Sequence, residues 1–130
     1  MVHMWLGYVA QSGFRGGCFF AAASSEFDGR PGPVRDQIAE CTRHWLGLLE
    51  HEARTALGNG ELQPGTDPAV VAFALHAYAH EANWAYQLLD DPKAFVRARR
   101  AVEQRLKGMA TRSGLSILAE TKTIHRATRT

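Results

Sequence analysis

The stretch from Asp67 to Pro92, DPAVVAFALHAYAHEANWAYQLLDDP, decides the fold. Pro68 directly after Asp67 is helix-start chemistry: proline in the first turn gives up an N–H that has no partner there, and aspartate caps free donors. No glycine or proline interrupts the run from Ala69 to Asp91. Its large apolar residues, Val70, Val71, Phe73, Leu75, Tyr78, Trp84, Tyr86, Leu88 and Leu89, cover most of a helix circumference, the mark of a helix buried on more than one side. In a chain of 130 residues such burial implies a central position or a partner subunit, and the alanines at 72, 74, 77, 79, 82 and 85 permit close approach.

The flanking segments read the same way. Pro33 after Gly32 opens a helix over 33 to about 58, with Val34, Ile38, Cys41, Trp45, Leu48, Leu49, Ala53, Ala56 and Leu57 at spacings of three and four. Glu50 and Arg54 form a surface pair on its other face, and Asn59-Gly60 supplies the stop. Pro92 after Asp91 starts a helix over about 92 to 108, with Phe95, Val96, Ala98, Val102 and Leu106 inward and a basic outer face. Past Gly108 the pattern decays, and 109–130 reads as a basic tail or a partly helical extension. The expected architecture is therefore all-α, a bundle of about five helices over residues 1–108.

Composition agrees with one domain: 45% of the residues are hydrophobic, enough for a single core. Cys18 and Cys41 have neither CxxC spacing nor a companion cluster, which suits reduced thiols and a cytoplasmic location. The first 25 residues do not read as a secretory leader, because no Lys or Arg precedes the apolar part and Gln11, Ser12 and Arg15 interrupt it. Nothing approaches the roughly 20 apolar residues of a membrane span. Residues 1–96 carry six basic and eleven acidic side chains, whereas 97–130 carry nine basic and two acidic. A basic end can favour nucleic acid, but no aromatic residue after Phe95 is available to stack on bases, so a solvated helix face is the simpler reading.

One constellation suggests binding. His76, His80, Asn83 and Gln87 recur at spacings of four, three and four along the mostly apolar helix, where unpaired polar groups are costly. They read as the polar wall of a pocket for a largely apolar ligand, with Phe20, Trp45, Leu49 and Tyr78 as lining, or alternatively as hydrated or satisfied core groups. A metal site is a further alternative, since histidines at i and i+4 can share an ion and Glu81 lies beside them, but the order is not HExxH. His44 and His51 fall outside the core stripe and read as surface residues. There is no GxSxG, P-loop or GxGxxG pattern, and Gly16-Gly17-Cys18 lacks a flanking strand. The reading is of a chain that is not an enzyme, with no catalytic residues, no metal site and no cofactor.

Several stretches taken together resemble the C-terminal domains of TetR-family transcriptional regulators. They are Gly16-Gly17-Cys18-Phe19-Phe20, Glu26-Phe27, Arg30-Pro31-Gly32-Pro33-Val34-Arg35-Asp36 and Trp45. Downstream, Gly60-Glu61-Leu62 precedes Asp67-Pro68, followed by Phe73, Leu75-His76, Asn83 and Leu88-Leu89-Asp90-Asp91-Pro92, so that the likeness spans roughly residues 4 to 108. The resemblance implies middle helices around an effector cavity and a homodimer formed by the helices near 68–89 and 92–108, with Tyr86, Leu89, Phe95, Val102 and Leu106 as candidate interface residues. The effector would be small and apolar or amphipathic.

The family also places a helix-turn-helix ahead of this region, which needs about 45 residues or more. Only fifteen precede Gly16, with Trp5, Tyr8 and Val9 resembling the end of the connecting helix, so DNA contact is expected only through a unit outside this chain. The leading expectation is an effector-binding and dimerisation domain of a ligand-responsive repressor. The alternatives are a headless partner of full-length regulators and a metal-binding bundle using His76 and His80.

Overall fold

The computed structural model describes the backbone of residues 19–127 and the side chains of 22–121. Within them lie five helices: α1 Phe19–Phe27, α2 Pro33–Gly58, α3 Pro68–Leu89, α4 Ala94–Met109 and α5 Arg112–Ala127. The helices expected over 33–58 and 68–89 are present with those limits. Past Gly108, helix α5 covers residues 112–127. Trp5, Tyr8, Val9 and Cys18 lie outside the described residues, and so does the side chain of Phe20.

Local chemistry sets the helix ends. Asp67 accepts the Ala69 amide at 2.9 Å, with Pro68 in the first turn of α3. The last turn of α2 closes through Gly60, whose φ of 73° would strain a side-chain-bearing residue. The Gly60 amide then reaches the Leu57 carbonyl at 3.1 Å and the Glu61 amide reaches Ala56 at 2.9 Å, the paired bonds of a Schellman stop. One boundary differs from expectation: α4 starts at Ala94, and Pro92 stands outside it. The Asp91 carboxylate takes the Lys93 amide at 2.9 Å and pairs with Arg97, so Asp91-Pro92-Lys93 forms a turn before the helix begins.

Short connections run α2, α3 and α4 back and forth, and α3 packs against both of the others. The core joins Leu49 and Ala53 of α2, Val71, Ala72 and Leu75 of α3, and Val102 and Leu106 of α4, with Trp45, Tyr78, Ala79, Met109 and Leu118 packed around it. No polar or charged residue is fully buried among the described ones. This core sits toward one end of the bundle, where α2 and α4 finish and α3 and α5 begin. There Leu62 and Ala110 pair in an antiparallel bridge and both are buried.

Candidate functional site

Helix α3 presents three different surfaces, and helical periodicity of about 100° per residue separates them. Val71, Ala72, Leu75 and Ala82 form the buried face. On one flank of it His76, His80 and Asn83 are half-buried, and the two imidazole rings stand 6.1 Å apart between centroids. Burial, and then the nearby His80 charge, hold the His76 imidazole below the ordinary histidine range. It is therefore a neutral hydrogen-bonding group at physiological pH, able to donate from one ring nitrogen and accept on the other. Gln87, the fourth member of the expected seam, is exposed.

The other expected lining residues do not all join this flank. Trp45 and Tyr78 pack on the core and Leu49 lies inside it. Tyr78 is two residues from His76, so it leaves α3 on a side roughly 160° away. The expected set is thus split between a polar flank and the core's edge. No group of three or more His, Cys, Asp or Glu side chains is placed to share a metal ion among the described residues. Glu81 is exposed and points away from the His76 flank.

The third surface of α3 is apolar and uncovered. Val70, Phe73, Ala77, Trp84 and Leu88 follow at spacings of three, four and seven along the outer side; Phe73 is 72% exposed and Leu88 64%. Leu89 is exposed at the helix end, and Tyr86 stacks on Phe95 of α4 with ring centroids 5.2 Å apart. The sequence carried a signal for this stripe in its second set of three-and-four spacings, but the apolar residues all round the helix hid which set faced inward.

Three expectations on α4 need correction. Val102 and Leu106, expected at a subunit interface, are 0% and 3% exposed inside the chain's own core and have no surface to offer a partner. Val96, expected inward, is 52% exposed, because at about 100° per residue it stands about 120° around α4 from the buried Val102. Along the rest of the outer side of α4 stand Arg97, Arg100, Gln104 and Lys107, all exposed.

No helix of the described residues is long and apolar enough to cross a membrane. Among curated protein sequences none matches the chain. The fold is similar to that of solved structures, among them two regulators. A TetR transcriptional regulator from Chloroflexus aurantiacus J-10-FL superposes with a TM-score of 0.73 at 16% identity, over 84% of this chain and 55% of that one. A TetR-family transcriptional regulator from Cytophaga hutchinsonii gives 0.74 at 19% identity, over 85% of this chain and 59% of that one. The chain thus spans a little over half the length of the regulators it matches. The family described as tetracyclin repressor-like, C-terminal domain matches residues 1–102, across the helices that form both the core and the polar flank, and the chain belongs to that family.

Proposed function

We propose that this chain is the effector-sensing and dimerising part of a ligand-responsive transcriptional repressor. One observation carries the reading: a single helix, α3, combines a core face, a half-buried polar flank and an uncovered apolar stripe. Soluble monomers rarely leave so many large apolar side chains on one contiguous face, and a second copy offers the same stripe for isologous pairing. Val70, Phe73, Trp84 and Leu88 are the proposed contacts, joined by Tyr86, Leu89, Phe95 and Val96 where α3 meets α4. Further along α4 the outer side is basic and would repel its own copy, so pairing is centred on α3.

The effector is a small apolar or amphipathic molecule held beside the core, with His76, His80 and Asn83 fixing its orientation. Few polar groups amid apolar surroundings suit such a ligand. Binding more tightly to one arrangement of α2 against α3 than to another would shift the balance between them, which is what a sensor requires. A thermal-shift screen of apolar acids, amides and aromatics tests this. At least one class is expected to raise the melting temperature of the wild type and to lose its effect in His76→Ala and Asn83→Ala chains that are themselves folded. Ligands that stabilise the wild type and both variants equally would remove the polar flank from the site.

A further inference from the structure

The loop after α2 and the junction between α4 and α5 are fastened together more tightly than any other pair of connecting segments described. The Gln63 amide donates to the Met109 carbonyl at 2.8 Å and the Thr111 amide donates to Glu61 at 3.0 Å, on either side of the buried Leu62–Ala110 bridge. The Gln63 side-chain amide adds a contact to the Ala110 carbonyl at 3.4 Å. Thr111 serves twice: its hydroxyl donates to the Gly60 carbonyl at 2.6 Å and its oxygen accepts the Gly114 amide at 3.2 Å, capping α5. Gly114 lies so close that a Cβ there would overlap the backbone carbonyl of Glu61. Half of this fastening, residues 109–114, lies beyond the segment matched to the family.

At the opposite end of the helices the described residues leave large apolar side chains uncovered. Val34 of α2, Leu88 and Leu89 of α3 and Val96 of α4 are all exposed. We infer that the 60–63/109–114 latch is a fixed pivot: it opens only when the whole bundle unfolds, so any displacement of α2 against α3 swings the end that carries Val34 and Leu88. This gives the sensing role proposed above its direction of movement, and it rests on that role for its purpose only. The stiffness difference itself can be read without an effector.

Amide hydrogen exchange of the full chain tests the pivot. The Gln63 and Thr111 amides are expected to exchange within about tenfold of the core amide of Leu75 at every protein concentration. Those of Leu88 and Leu89 are expected to exchange at least about 100-fold faster in dilute protein, since local opening ranges from near zero to the global limit. If pairing covers the open end, concentrating the protein slows Leu88 and Leu89; if that slowing is missing, dimerisation fails while the pivot stands. Gly114→Ala should speed Gln63 and Thr111 by at least about tenfold relative to Leu75. Should that chain not fold, Thr111→Val, which removes only the hydroxyl, should raise the same ratio by about threefold. Wild-type Gln63 and Thr111 exchanging as fast as exposed loop amides, or ratios unchanged in the folded variants, would overturn the pivot.

Discussion

The two ends of this bundle are made from the same helices and differ in what they manage to bury. At the latched end α2, α3 and α4 cover branched side chains: Leu49, Val71, Leu75, Val102 and Leu106 are all within the core. At the other end the buried apolar residues are mostly alanines, Ala23, Ala82 and Ala94, while Val34, Trp84, Leu88, Leu89 and Val96 remain exposed. Helix α3 passes through both environments with no change in its apolar character. What changes is the neighbour. The comparison teaches that an all-round apolar helix need not be central along its whole length: one half can be core while the other lies exposed.

The largest effect expected from breaking this contrast lies in the closed end. Leu106→Ala should cost about 2–5 kcal/mol of stability, because it removes a filled core position, whereas Leu89→Ala should stay within about 0.5 kcal/mol in dilute protein. Urea denaturation of the two variants checks this, and equal losses would erase the distinction between the ends. Next in size, Phe73→Glu should weaken self-association by about 2 kcal/mol, roughly 30-fold in the dissociation constant, by placing a charge on the apolar stripe. Its folding midpoint measured in dilute protein should be almost unmoved, since Phe73 touches mostly solvent there.

A smaller loss is expected at the start of α3. Removing the Asp67 carboxylate in Asp67→Ala leaves the Ala69 amide without its cap and should cost about 1 kcal/mol, read as a shift in the urea midpoint.

The smallest effect concerns pH. Burial and the neighbouring His80 charge lower the His76 pKa from the ordinary value of 6.5. The unfolded chain then takes up a proton that the folded His76 resists. His76 therefore leaves stability whole above pH 6.5 and removes it as the pH falls from there through the folded pKa. His76→Gln should flatten the decline in urea midpoint on acidification; a slope identical to wild type would show that other groups cause it.

Much of this was legible in the chain itself. Proline after glycine or aspartate, Asn59-Gly60, and three-and-four spacing marked the approximate limits of α2 and α3, since these signals act within one or two turns. The start of α4 was misplaced because Asp91 could either cap a helix begun at Pro92 or close a turn before a later start, and its partner Arg97 lies six residues on. Val96 was misassigned separately, since helical phase sets it about 120° from Val102. Val102 and Leu106 were placed at an interface because apolar spacing says only that a face is covered, not whether by the same chain or another. Tyr78 fell on the wrong side of the expected pocket for a similar reason: residue type suggested it, and helical phase removes it from the His76 flank. The latch left only faint traces, a glycine at 114 and threonine at 111, since pairing between segments about fifty residues apart has no local pattern.

We propose that two copies meet through the uncovered stripe of α3. Sedimentation equilibrium of the wild type and the Phe73→Glu chain, from about 1 to about 100 micromolar, tests it most directly. The wild type is expected to approach the mass of two chains at the upper concentrations, and Phe73→Glu to fit a dissociation constant about 30-fold higher. A wild type that stays at one chain's mass, or a Phe73→Glu chain that pairs as strongly as the wild type, would contradict it.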